Sequence, residues 1–346
     1  MTDESNMRLT AEAAADLQSA HAAAVDSLLA PEPGPANVIG VATGVKWRNG
    51  EPTGEPAVLV LVTHKLEKGG LPKGDLVPAK VGQAKTDVLA IGVPFAGEAA
   101  VAPVQTLAQR RRPAQGGYSV GHIAITAGTI GTCVYSILPG GATGPPANGV
   151  GIPPKFFILS NNHVLANVNA AMIGDPILQP GPIDGGTDPA DRIATLAAFV
   201  PITLNPPTPL PLHRNIVDCA IAQGQFHDLD REVYWYGKVR GWRPKAGVHV
   251  GDIVQKTGRT TNFTTGRITA INATVDVGYG GGRTGRFHDQ ILTTNMSAGG
   301  DSGSLVTTLD NVAVGLLFAG SPSVMIANQI ENVRALLKVE VAEQIL

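Results

Sequence analysis

Apolar positions in this chain come in short runs of four to eight residues, separated by clusters of Gly, Pro and Asn. Runs of that length, closed by turn-forming residues, predict many short strands. Val38–Val41 and the continuous run Ala57–Val62 read as strands, with Gly50, Pro52 and Gly54 marking the turn between them. Six consecutive apolar residues suit a strand covered on both faces. Two more short strands are predicted near Val77–Val81 and Asp87–Ile91. From Tyr118 on, strand-like runs follow at Gly131–Leu138, Phe156–Leu159, Val217–Ala222, Ile253–Lys256, Arg267–Ala270, Gln290–Thr294, Ser304–Thr307 and Ala313–Phe318.

Helical spacing is confined to the two ends. The Ala-rich stretch 7–30 predicts a helix with a cap near Thr10, ended by Pro31, Pro33 and Pro35. Ile326, Ile330, Val333, Leu336 and Leu337 recur at three- and four-residue steps, which predicts a helix over 325–346. The polar stretch 103–117, with Arg110, Arg111 and Arg112, reads as a solvated linker. The pattern divides the chain into an N-terminal helix and Pro-rich linker (1–36), a small α/β unit (37–102), the linker (103–117) and a larger β-rich domain (118–346).

Composition adds limits. The 346 residues include 42 Gly and 26 Pro, and the formal net charge is −2. Near-neutral charge gives no electrostatic reason to expect a nucleic acid or an anionic membrane as partner. No apolar stretch reaches the roughly 18 residues that span a bilayer. The N-terminus lacks a basic segment followed by an apolar core, so no secretory leader is expected. With only Cys133 and Cys219, a cytoplasmic protein with reduced thiols is the simplest expectation, and a single bridge between the two stays open.

The candidate chemistry lies in three segments. Gly299-Gly300-Asp301-Ser302-Gly303 places a serine among glycines, which let the backbone turn sharply and approach a substrate. Asn162-His163-Val164-Leu165 follows the apolar run 156–159, a context that fixes a histidine at the end of a rigid element. Asp218 is a single acid within the apolar run 216–222, and an unpaired buried carboxylate is costly, so it requires a partner. A serine hydroxyl needs a base to take its proton and a group to orient that base. His163 and Asp218 are candidates for those roles. The backbone N–H groups of Gly300 and Ser302 are candidate donors to an oxyanion.

The order His163, Asp218, Ser302, with Lys256-Thr257-Gly258-Arg259-Thr260-Thr261 and Val314–Gly320, resembles the chymotrypsin/trypsin-like serine peptidase family over roughly residues 118–335. Ser160-Asn161-Asn162-His163-Val164-Leu165 and the segment 179–186 are similar to an intracellular bacterial subgroup related to the plant NARROW LEAF type proteases. The resemblance implies a mostly β fold of two six-stranded antiparallel β-barrels with the site between them, a small N-terminal α/β extension and a C-terminal helix. It implies a serine endopeptidase that needs no cofactor or metal, takes polypeptide substrates and forms homo-oligomers. The alternative is a catalytically weak scaffold or regulatory binding protein on the same fold.

The family pattern also places Met296, Phe318 and Gly320 at the specificity pocket. Met296 in place of an acid argues against selection of Arg or Lys, and Phe318 replaces a small polar residue. Residues 117–121 contain no family-like activation site, so Asp301 needs a partner other than a freed N-terminus, and Arg259 is the candidate. Elsewhere, Gly278–Gly285 predicts a hairpin turn, and Asp184, Asp188 and Asp191 read as a solvated loop rather than a calcium site. His213, His227, His249 and His288 show no metal-ligand spacing.

Overall fold

The computed structural model describes residues 4–31, 34–35, 37–66, 69, 71–97, 106–136 and 155–341. The N-terminal helical region is two short helices, α1 (Ala11–Asp16) and α2 (Gln18–Leu28), with the Thr10 hydroxyl accepting from the Ala13 N–H at the start of the first. Strands β1 (Val38–Arg48), β2 (Glu51–Val62), β3 (Lys80–Val81) and β4 (Ala84–Ala90) follow. The third strand is shorter than its apolar pattern suggested, and Val77 packs with Val81 against the cluster of α2, β1 and β2.

The apolar run in β2 is buried on both faces, as its composition predicted. Leu59 and Leu61 join a core with Val275, Phe287 and Phe318, while Val58 and Val60 pack on Leu17, Ala24 and Leu28 of the helices.

The central part of the chain forms β5 (Ala114–Gly116), β6 (Ser119–His122), β7 (Gly128–Thr129), β8 (Thr132–Ser136), β9 (Phe156–Ser160), the one-turn helix α3 (Asn162–Leu165), β10 (Pro176–Leu178), β11 (Arg192–Phe199) and β12 (Ala220–Gly224). Their sheet runs β8-β9-β12-β11-β10-β6-β7. Since β7 leads directly into β8, the two ends of the sheet meet and the first barrel curls shut around Val120, Ile158, Leu165 and Ile177.

After β13 (Leu229–Val233), β14 (Gly237–Lys238) and β15 (Gly241–Trp242), the chain builds β16 (Ile253–Gly258), β17 (Asn262–Gly278), β18 (Thr284–Thr294), β19 (Leu305–Thr308), β20 (Val312–Gly320) and β21 (Val324–Gln329). These six pair antiparallel in the order β16-β19-β20-β21-β18-β17, and β17 returns to β16. The mostly β, double-barrel expectation is met. Gly280, Gly281 and Gly282 take positive φ in the turn joining β17 to β18, the hairpin read from the glycine run.

Two features differ from the sequence reading. The outer edge of β17 pairs with β1, so the sheet of the second barrel continues through β1-β2-β4-β3. The C-terminal helix α4 covers only Ile330–Leu337, and β22 (Val339–Glu340) follows it. Residues 324–329 share the apolar spacing but are buried all round as a barrel strand, and burial on every side hides the helix–strand distinction. Residues 342–346 of the predicted helix, and 137–138 of a predicted strand, lie outside the described residues.

Candidate active site

His163 sits on α3, delivered by β9. Its Nδ1 lies 2.6 Å from Oδ2 of Asp218, and its backbone N–H donates to Oδ1 of the same carboxylate at 3.2 Å. Asp218 is fully buried and stands just before β12, not inside it as the apolar run suggested. The position is fixed from both sides. The Asp218 N–H donates to Asn328 Oδ1 at 3.0 Å, and the Asp218 carbonyl accepts from Asn161 Nδ2 at 2.7 Å and Asn328 Nδ2 at 3.1 Å. Asn162 bonds Asn169 and the Val200 carbonyl, which holds the turn carrying His163. The Tyr279 hydroxyl donates to Asp218 Oδ2 at 2.8 Å. Burial, followed by the adjacent carboxylate, pushes the Tyr279 hydroxyl well above its ordinary pKa, so it stays a neutral donor.

Ser302 lies in the turn before β19. Thr129 of the first barrel clamps this turn. Its N–H donates to the Ser302 carbonyl at 2.7 Å, and its hydroxyl donates to the Gly300 carbonyl at 2.8 Å. Gly303 holds φ near 96°, and a Cβ there would meet Ser160 Oγ at 2.1 Å and the Thr129 carbonyl at 2.3 Å. Only glycine permits so close an approach of the two barrels.

His163, Gly300 and Ser302 border one cavity of about 590 Å³. Nε2 of His163 is buried and has no hydrogen-bond partner among the described residues. The N–H groups of Gly300 and Ser302 likewise have no acceptor among those residues. The arrangement brings a histidine, oriented by a buried carboxylate, to the same cavity as a serine beside two available N–H donors.

Asp301 corrects the expectation that Arg259 would be its partner. Its Oδ2 lies 3.0 Å from Lys256 Nζ, and both side chains are fully buried. The carboxylate also accepts from the N–H groups of Thr260 at 2.8 Å, Thr261 at 3.1 Å and Ala298 at 3.0 Å. Arg259 instead pairs with Asp184, donating from Nε at 2.8 Å. The acidic loop is not merely solvated either: Asp188 takes Arg192 and Asp191 takes Arg110. Arg112, expected in a solvated linker, donates to the Gln179 carbonyl at 3.2 Å. Among the described residues no group of three or more metal-ligating side chains occurs. Cys133 and Cys219 are free and buried, so the open question of a bridge resolves as two thiols.

Of the three residues expected at a specificity pocket, Gly320 borders a cavity beside Ser302, while Met296 and Phe318 do not. A cavity of about 320 Å³ beside Ser302 is bordered by Ser297, Ala298, Leu317, Ala319 and Gly320. Met296 turns into the core with Val254 and Val306. Phe318 packs inside the barrel with its ring centroid 4.8 Å from that of Phe287. Successive residues of a strand face opposite sides, so Leu317 and Ala319 border the cavity while Phe318 between them faces the core.

Sequence reasoning missed Tyr279, Asn328, Lys256 and Thr129. Asn161 and Asn162 carried a local signal, two amides directly before the histidine. Lys256 opens the 256–261 stretch that carried the resemblance, but its role was not read from it; Tyr279, Asn328 and Thr129 act across the fold with no local signal.

No family model matches the chain. Serine protease 2 of Streptomyces fradiae is 38% identical over 94 residues, 27% of this chain and 51% of that protein. The chain thus matches about half the length of this curated relative. Among solved structures, Thermobifida fusca Protease A aligns at 15% identity and a TM-score of 0.44, covering 66% of this chain and 97% of that one. Nocardiopsis Protease aligns at 17% identity and a TM-score of 0.43, covering 65% of this chain and 97% of that one.

Proposed function

We propose that the chain is a serine endopeptidase of the chymotrypsin/trypsin-like family. The observation that carries this reading is the 2.6 Å contact of His163 Nδ1 with buried Asp218, whose imidazole borders one cavity with Ser302. The 38% identity to Serine protease 2 supports it.

His163 Nε2 takes the Ser302 Oγ proton as that oxygen attacks a peptide carbonyl, and later returns it to the leaving amine. Water then attacks the acyl-enzyme ester by the same route in reverse. The Gly300 and Ser302 N–H groups receive the oxyanion of each tetrahedral intermediate. One such donor is worth roughly 100- to 1000-fold in rate. Asp218, held by Tyr279 and the amides of Asn161 and Asn328, keeps the imidazole oriented and balances the imidazolium. Ser297, Ala298, Leu317 and Ala319 around the cavity favour an apolar substrate side chain there.

Within the family we place the chain in the intracellular bacterial subgroup related to the NARROW LEAF type, as a cytoplasmic homo-oligomer. The two buried free thiols accord with a reducing compartment. Cleavage profiling of a cell lysate treated with wild type or Ser302→Ala tests the activity. Wild-type-dependent new termini after apolar residues support it, and identical profiles together with no fluorophosphonate labelling of Ser302 in the folded chain refute it. Light scattering tests the assembly: a multiple of 35.7 kDa supports it and a monomer mass refutes it.

A further inference from the structure

After β4 the chain does not leave the site. Phe95 donates its N–H to the Gly320 carbonyl at 3.0 Å and accepts from the Gly320 N–H at 3.2 Å, a closed antiparallel pair. On the other flank, the Ala96 N–H donates to the Gly278 carbonyl at 3.0 Å, and the Gly278 N–H donates to the Pro94 carbonyl at 3.1 Å. The segment is thus an extra strand slotted between the last residues of β20 and β17. Its aromatic ring lies over glycines: a Cβ on Gly278 would meet it at 3.1 Å, and one on Gly280 at 3.7 Å. The Ser321 hydroxyl anchors the entry by donating to the Ile91 carbonyl.

The segment also reaches the candidate chemistry. Val93, Phe95 and Gly97 border the 320 Å³ cavity beside Ser302. Ala96 and Gly97 border the 590 Å³ cavity that holds His163 and Ser302.

We propose that residues 93–97 are a built-in occupant of the peptide-binding slot, a substrate-like strand that holds the enzyme in check. This rests on the peptidase reading. Extended peptides bind sheet edges through main-chain hydrogen bonds. Gly320 has one N–H and one C=O, and both are committed to Phe95. A polypeptide laid along this edge beside Ser302 must displace them. A tethered segment competes at an effective concentration in roughly the millimolar range, so a free substrate at micromolar concentration loses. The occupant also indicates what the slot accepts: an extended segment with an aromatic side chain over the glycines, followed by small residues toward Ser302. A short ester that fills only the cavity next to Ser302 does not need the Gly320 pair.

The test compares an extended tetrapeptide anilide with a short amino-acid ester in the full chain. Phe95→Pro deletes the N–H donated to Gly320, and Ser321→Ala removes the anchor without touching the segment's backbone. Circular dichroism melts establish that each is folded, and Ser321→Ala decides the matter if Phe95→Pro is not. The proposal predicts that the peptide-to-ester ratio of kcat/KM rises tenfold or more in Phe95→Pro and by a smaller factor in Ser321→Ala.

A second arm needs no turnover. The fluorescein-labelled peptide Ile-Gly-Val-Pro-Phe-Ala-Gly is titrated into Ser302→Ala with and without Phe95→Pro, reading anisotropy. Binding only to the double variant supports the occupied slot. An unchanged or lower ratio together with equal or absent binding in the two proteins overturns it. If no variant hydrolyses either substrate, the peptidase reading fails, and the binding arm alone decides whether the slot is filled.

Discussion

Lys256 Nζ stands 3.0 Å from Asp301 Oδ2 in the fully buried base of the Ser302 turn. Burial pushes the lysine below its ordinary pKa, while the neighbouring carboxylate acts in the opposite direction. Removing one partner leaves the other charge buried and unpaired, at a cost of roughly 3–5 kcal/mol. Lys256→Met is therefore expected to lower stability by that order and to disorder the Ser302 turn. Lys256→Met with Asp301→Asn removes both charges and should recover part of the loss. Urea titrations of wild type, single and double variants check this. Equal stability of wild type and Lys256→Met contradicts it. Because Lys256 comes from β16, the pair requires no newly freed chain terminus.

Tyr279 and His163 share Oδ2 of Asp218. Tyr279→Phe deletes one donor to a buried carboxylate, a loss of about 1–2 kcal/mol. If His163 acts as the base, kcat falls roughly 5- to 30-fold, that energy expressed as rate, while KM changes little because Tyr279 only orients. Steady-state kinetics on a short ester separate the two constants. A rise in KM at constant kcat would show that Tyr279 shapes substrate binding instead.

His21 and His288 are both held below their ordinary pKa, in each case first by burial. A histidine with a depressed folded pKa resists protonation that the unfolded chain accepts near pH 6.5. Its contribution is present above that pH and is lost as pH falls toward the folded value. The melting temperature should drop between pH 7.5 and pH 5.5. His288→Gln keeps a donor toward the His213 carbonyl but cannot titrate, so its drop should be smaller. The same pH dependence in both proteins rules out His288 as a source.

Gly303→Ala places a methyl group on Ser160 Oγ and the Thr129 carbonyl, at a residue with φ near 96°. Strain of about 1–3 kcal/mol from the backbone alone adds to the clash. Labelling of Ser302 should fall more than global stability does, since the clash forces apart the contacts that Thr129 makes with the Ser302 turn. Parallel labelling and melting assays read the two effects.

Apolar runs were legible as strands in β2 and β20, whereas β6 and β11 were not read from the sequence. Its three candidate residues were legible because each carried a local cue: glycines around Ser302, a strand before His163, apolar neighbours around Asp218. The supports of those residues were not. Lys256 is a lone lysine in a strand, and its partner is 45 residues away. Phe318 was placed at the cleft by the family pattern, but it lies between two cavity-facing residues of β20 and so faces the core. Residues 324–329 shared apolar spacing with the helix that follows, because a strand buried on both faces and a buried helix offer the same pattern. Phe95 gave no signal, since its partners Gly278 and Gly320 bond through the main chain.

The most direct measurement is labelling of the folded full chain by a fluorophosphonate, with the modified residue located by mass spectrometry. The mechanism predicts one adduct on Ser302, absent in Ser302→Ala and strongly reduced in His163→Ala. Folded wild type and folded Phe95→Pro that both remain unlabelled, or an adduct elsewhere that survives Ser302→Ala, would contradict it.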